Sequence, residues 1–167
     1  VATLQVYENT SGLKPGEPVY CTGRPLSVKL GPGLIGTIYD GIQRPLEAIA
    51  KHSGSMIQRG EKPLPLDAEK LWPFSPAREA GERLTEGSVY GLVQETESVE
   101  HHLMVPPAVS GTVTEILPAG NYTSGTVVCR LDSEGGVQEL TMCQFWPVRH
   151  PRPTAAKAAL KEPLLTG

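Results

Sequence analysis

Aromatic side chains are scarce, with two Trp, two Phe and five Tyr in 167 residues, so a core here has to be assembled largely from Val, Leu and Ile. No apolar run approaches the roughly 20 residues a membrane-spanning helix requires, and any role at a membrane is expected to run through partners. Lys and Arg form no cluster and the formal net charge is -3, which removes the electrostatic basis for nucleic-acid binding. GxxxxGK[ST] is missing, so the sequence offers no phosphate loop of the P-loop kind. GxSxG is missing too, and with it the strained serine turn of the hydrolases. Lysine is absent from residues 71–156. The three cysteines, Cys21, Cys129 and Cys143, are odd in number and form no CxxC. Reduced intracellular thiols are therefore expected, with Cys129 and Cys143 as small apolar side chains in strand-like stretches; a disulfide between those two stays open.

What the chain has in quantity is Gly, 18, and Pro, 16, about a fifth of all residues. That favours many short strands and turns over long helices. The expected fold is mainly β: a small barrel or sandwich of short strands with one or two short helices. Residues 3–7 (TLQVY) alternate, 13–17 (LKPGE) turn and 18–22 (PVYCT) resume the alternation, so two strands are expected there, with a third at 26–30. Three strands without further partners make a marginal core, and this part is expected to belong to a sheet completed by residues outside the chain. The prolines at 63, 65, 73 and 76 predict extended backbone in edge positions, with Leu71, Trp72 and Phe74 as the hydrophobic anchor.

From Gly81 onward the spacing becomes regular. A turn and a strand are expected over 83–93 and strands at 102–105, 111–117, 127–131 and over 137–146, with turns at 106–107 and 120–122 and a hairpin tip at 133–136. Residues 147–153 (PVRHPRP) read as a linker and 154–160 as a helix halted at Pro163. The chain begins at Val1 and stops at Gly167 straight after a patterned run, and it reads as a segment of a longer polypeptide.

Residues 27–46 (SVKLGPGLIGTIYDGIQRPL) change character three times in twenty residues and read as a joint: strand, tight glycine loop, short helix. Val28, Leu30, Ile35, Ile38 and Tyr39 are expected to make apolar contacts. Gly31, Gly33, Gly36 and Gly41 would allow positive φ or close backbone approach, and Pro32 fixes a bend. Asp40-Gly41 is a turn pair. Pro45 suits the first helical position, with Leu46, Ile49 and Ala50 on one face and Gly54 as the stop.

Two groups of residues invite a chemical reading. Residues 31–36 (GPGLIG) match GxGxxG, but a dinucleotide site needs those glycines to open a helix whose N-terminus receives the pyrophosphate, and a strand-like segment follows instead. His101 and His102 beside Glu97 and Glu100 could supply metal ligands. Adjacent strand residues point to opposite faces, however, so solvated loop histidines, one of them half-buried beside a strand, are the expected state. The 18 Asp and Glu show no spacing that argues for acid–base catalysis. The strand pattern of 81–117 also suggests a biotinyl or lipoyl carrier barrel; without a lysine at a hairpin tip the carrier function is excluded. A stand-alone ligand-binding β-barrel remains the alternative reading. No catalytic, cofactor-binding or metal-binding residue is assigned.

Several blocks in order carry a family resemblance: QVYENTSGL at 5–13, GEPV at 16–19 with TG at 22–23, LSVKLGPGL at 26–34, DGIQRPL at 40–46, VPP at 105–107, PAGNYT at 118–123 and WPVR at 146–149. Together they resemble the catalytic A subunit of the rotary V-type/A-type ATPase or ATP synthase. The resemblance implies that residues 1–40 are the end of an N-terminal β-barrel and the glycine-proline joint, 41–54 a short helix, 55–148 an inserted "bulge" β domain, and 149–167 a linker towards a nucleotide-binding domain. It also implies a parent enzyme that uses ATP and Mg to couple hydrolysis or synthesis to proton or sodium transport. Its partners would be the peripheral stalk subunits and the B subunit, in the cytoplasm and peripheral to the membrane. The phosphate loop and catalytic glutamate of that family fall outside this sequence, so the chain itself is expected to be inert and to act as a structural and interaction module. The long insertion between DGIQRPL and WPVR argues against the F-type and protein-export branches.

Overall fold

A computed structural model describes residues 5–7, 9–54, 57–58 and 60–152. It contains ten strands and one helix among those residues: β1 (Ser27–Leu30), α1 (Leu46–Ser53), β2 (Leu71–Pro76), β3 (Arg83–Leu84), β4 (Val89–Gln94), β5 (Glu100–Met104), β6 (Gly111–Ile116), β7 (Gly120–Thr123), β8 (Val127–Ser133), β9 (Gly136–Thr141) and β10 (Gln144–Pro147). Eight of the strands form two antiparallel sheets, ordered β5-β4-β2-β7 and β3-β6-β8-β9. The fold is mainly β, as expected, and neither sheet closes on itself. The second helix expected at 154–160 lies outside the described residues.

The two sheets bury their inner faces against each other. Trp72, Phe74, Tyr90, Val93 and Leu103 come from the first, and Leu84, Val113, Val128, Cys129, Leu131 and Leu140 from the second. Alternation in β2 is strict, with Trp72 and Phe74 in and their neighbours out. Elsewhere bulges break it. The register slips between Val89 and Gly91, between Val113 and Glu115, and between Val127 and Cys129. Each extra residue bends its strand, and the last explains why consecutive Val128 and Cys129 are both buried. Gly91 is required by space: a Cβ there would run into the Phe74 ring and meet Leu103 Cδ1 at 3.3 Å.

Three strand expectations are corrected. Residues 5–7 and 18–22 carry no strand, and Val6, Tyr7, Val19 and Tyr20 are exposed; alternation without a partner edge to bond to does not make a ladder. Residues 120–122 are not a turn but the start of β7, which pairs with β2. The proline-containing β2 is not an edge strand. It lies between β7 and β4, paired with β7 over Leu71 to Phe74 and with β4 over Phe74 to Pro76. Pro73 precedes the first β4 rung and Pro76 sits on the last, so neither removes a bond from the middle of that ladder.

The third sheet is a two-stranded ribbon in which β1 pairs antiparallel with β10, Ser27 opposite Pro147 and Leu30 opposite Gln144. It extends by one further bond, from the Val148 N–H to the Leu26 carbonyl at 3.0 Å. The chain therefore leaves the ribbon at residue 30, builds the sandwich, and returns to the same place at residue 144. Residues 137–146, expected as one closing strand, are two: β9 stays in the sandwich and β10 leaves it.

Gly91→Ala is expected to lower unfolding stability by about 1–3 kcal/mol through overpacking against Phe74. Urea denaturation of the two proteins measures it, and an unchanged midpoint would show that the ring has room to move.

Candidate functional site

The joint is held by polar contacts that are local in sequence at one end and long-range at the other. Asp40 makes an Asx-type turn: its Oδ1 accepts the Ile42 N–H at 3.1 Å and the Arg44 N–H at 2.8 Å, while Oδ2 takes the Arg44 Nε–H at 2.7 Å. Burial works against the charge on Asp40, but those backbone and guanidinium donors hold its carboxyl below the usual carboxylate range. The turn forces Gln43 into the left-handed region at φ 62°, costly for a residue with a Cβ. The side chain that results is placed to act as a strand surrogate. Its Nε2 donates to the Lys29 carbonyl at 2.6 Å and its Oε1 accepts the Lys29 N–H at 2.7 Å, which satisfies the edge of β1 that β10 does not cover. Pro45 then bridges back to Tyr39 and serves as the cap of α1 rather than its first residue. Ile49 is the buried residue of that helix; Ala50, expected beside it, is exposed.

The glycine loop is clamped by the sandwich. Gly31 lies so close to the β9–β10 connection that a Cβ would be 2.8 Å from Cys143 Cβ and 3.0 Å from Leu66 Cδ1, and at Gly33, with φ 105°, a Cβ would lie 3.2 Å from the Trp72 ring. Glu95, just after β4, reaches across with a side chain only 2% exposed. One oxygen, Oε1, accepts the N–H of Gly33 at 2.7 Å and of Ile35 at 3.1 Å; the other, Oε2, lies 3.3 Å from His101 Nδ1. A carboxylate accepts only, so Nδ1 is the protonated nitrogen of this imidazole. Burial pushes the His101 pKa below the ordinary histidine value, and Arg152 and His102 act in the same direction, against the attraction of Glu95. The apolar contacts expected of the loop are not all made, since Ile35 and Ile38 are exposed. Gly41, expected to need its conformational freedom, has open space around it and no positive φ.

The residues singled out for chemistry do not converge. His101 and His102 lie within β5, not in a loop, and point apart as alternation requires: His101 to Glu95, His102 outward to Glu100 at 3.1 Å. Among the described residues no three His, Cys, Asp or Glu side chains gather where a metal ion could sit. All three cysteines are free, Cys21 exposed and Cys129 buried, its thiol pushed up to about 11 by burial. Tyr90, buried in the core, donates its hydroxyl to the Thr141 carbonyl at 2.6 Å, and burial raises its pKa further. GPGLIG opens no helix, and the two amides it could offer a phosphate are taken by Glu95. A groove of about 600 Å³ runs between α1 and the 64–72 stretch, and a cleft of about 650 Å³ beside the 133–136 hairpin; neither contains a nucleophile–base pair. The two contacts that shape the joint, Gln43 to Lys29 and Glu95 to the loop, were not anticipated. The separation of 62 positions between Gly33 and Glu95 leaves no local signal.

Two open sheets packed face to face, entered and left through a neighbouring pair of strands, define a β module of the barrel-sandwich class. The chain belongs to the ATP synthase alpha/beta family: the model of the barrel-sandwich domain of the ATP synthase alpha/beta subunit matches residues 64–149, and the model of that family's β-barrel domain matches residues 1–23. Over 167 residues it is 53% identical to the A subunit of the A-type ATP synthase of Methanopyrus kandleri, covering 99% of this chain and 28% of that one. Over 168 residues it is 51% identical to the catalytic A subunit of the V-type proton ATPase of Beta vulgaris, covering 99% and 27%. The V-type ATP synthase alpha chain of Halothermothrix orenii is 49% identical over 168 residues, covering 100% and 28%. The resemblance read from the QVYENTSGL, LGPG, DGIQRPL and WPVR blocks is borne out. The chain spans a little over a quarter of the length of these relatives. No helix among the described residues is long and apolar enough to cross a membrane.

Two measurements follow from this geometry. Gln43→Ala removes both bonds to Lys29 and is expected to cost about 1–3 kcal/mol. Gln43→Gly removes the same bonds but relieves the left-handed backbone, so it is expected to cost about 1 kcal/mol less than the Ala variant; equal losses in urea melts would show that the backbone is not strained. His101 binds its proton more weakly folded than unfolded. Its contribution to stability is therefore complete above the unfolded value near 6.5 and is lost as pH falls through the depressed folded value. Thermal melts from pH 8 to pH 5 are expected to decline less in His101→Gln than in the parent protein, and parallel curves would contradict the assignment.

Proposed function

We propose that this chain is part of the catalytic A subunit of a rotary V/A-type ATPase or ATP synthase, which couples ATP hydrolysis or synthesis to proton or sodium transport. Within it, residues 55–148 act as a non-catalytic module by shape and contact. Identity near one half along essentially the whole chain to subunits so named carries the reading. The pairing of β1 with β10 supports an insertion, since a domain whose entry and exit strands lie side by side can be added to a host fold without displacing it. ATP and Mg would be bound by other parts of the longer polypeptide: no GxxxxGK[ST] is present in this sequence, and the glycine loop is occupied by Glu95.

In this role the joint at residues 31–45 sets the direction in which the sandwich projects, towards the peripheral stalk and the B subunit, on the cytoplasmic side and held to the membrane through the complex. The chain alone is inert towards ATP. Deleting residues 55–145 from the full-length subunit is expected to impair assembly of the complex or the coupling of its ATPase to ion transport. Normal assembly with normal coupling, or ATP turnover by this chain in isolation, would overturn the reading.

A further inference from the structure

We propose that residues 33–37 form a carboxylate-binding loop and that Glu95 is its built-in ligand, latching the joint to the sandwich so that the two move as one body. Two backbone N–H groups, of Gly33 and Ile35, converge on a single oxygen at 2.7 and 3.1 Å, the arrangement in which successive amides make an anion-binding concavity. Convergence depends on Gly33 at φ 105°, and a Cβ there would press on the Trp72 ring at 3.2 Å. The loop is braced independently of its ligand: the Thr37 hydroxyl donates to the Gly33 carbonyl at 2.9 Å and the Thr37 N–H to the Leu34 carbonyl at 3.2 Å. Removal of the carboxylate therefore leaves the amides in place.

The ligand side is equally built. Glu95 is fixed in the β4–β5 turn by its own N–H, which donates to the Val99 carbonyl at 3.0 Å. With its side chain 2% exposed, the carboxylate has exchanged water for two loop amides and the His101 imidazole. A charge so desolvated is stable only while those donors stay in place. His101 acts here as a positioning residue, holding Oε2 so that Oε1 meets the loop. The groups facing Glu95 are His101 on β5 and, more distantly, the Tyr39 hydroxyl in the joint. The chemistry the loop accepts is a carboxylate on a short stem. The inference concerns this chain alone and stands whether or not the assignment to a rotary ATPase holds.

Amide hydrogen exchange on Glu95→Ala tests it. Loss of a charge-assisted acceptor is expected to speed exchange at Gly33 and Ile35 about tenfold or more, with the β6 and β8 amides unchanged. Formate or acetate at 0.1–0.5 M (on the order of a weak small-ligand site) then restores protection at those two amides, and chloride at equal ionic strength does not. Unchanged exchange at both amides, acceleration spread evenly over the chain, or equal rescue by chloride would overturn the proposal. Should Glu95→Ala not fold, Glu95→Gln decides: with its single oxygen on the loop it sets an amide donor against the His101 Nδ1–H, and faster exchange at Gly33 and Ile35 is expected, whereas wild-type rates at both would refute the latch.

Discussion

Everything in this molecule hangs on the apolar contact between two open sheets, and within it on the fit of the Phe74 ring over Gly91. With so few aromatics the core depends on placement more than on bulk. Trp72 and Phe74 on one strand supply most of the aromatic volume, and the Phe74 ring meets Tyr122 edge-on at 6.1 Å between centroids. Bulges in β4, β6 and β8 bend the strands so that the two faces stay in contact. Without that curvature, such short strands would diverge before a core could form.

The sandwich in turn shapes the joint. The glycine loop has almost no apolar anchorage of its own, with Ile35 and Ile38 facing solvent, and it is held instead by close approach at Gly31, by the Trp72 ring at Gly33 and by a buried carboxylate. At the other end, Asp40 and Arg44 set a turn that spends backbone strain at Gln43 and recovers it as two hydrogen bonds to β1. A glycine-rich segment is thus over-determined by its surroundings. That combination suits an element that must hold a projecting module at a constant angle, the role assigned to it in the proposed A-subunit context.

Several titratable groups make structural contacts: His101 with Glu95, Asp40 with Arg44, Tyr90 with a backbone carbonyl. Arg130 is paired with both Glu115 and Glu139 across the outer face of the second sheet, exposed pairs that add little stability. The resemblance visible in LGPG and DGIQRPL falls on the residues that build the joint.

The strands β4, β5, β6 and β8 were legible in the sequence because alternation and Gly or Pro turns are local signals, as were Trp72 and Phe74 as anchors and the separation of His101 from His102. β7 was not, because the short stretch GNYT carries no alternation of its own and becomes a strand only when β2 offers an edge. The reverse held for residues 5–7 and 18–22, where local pattern promised strands that no partner completes. The central position of β2 despite two prolines, the meeting of the Gln43 side chain with Lys29 and the reach of Glu95 to Gly33 were decided by tertiary structure alone. Each rests on a bond between residues 14 to 62 positions apart or on a ladder shared between two neighbours, and local chain chemistry specifies which residues can make such a bond but not which of them will meet.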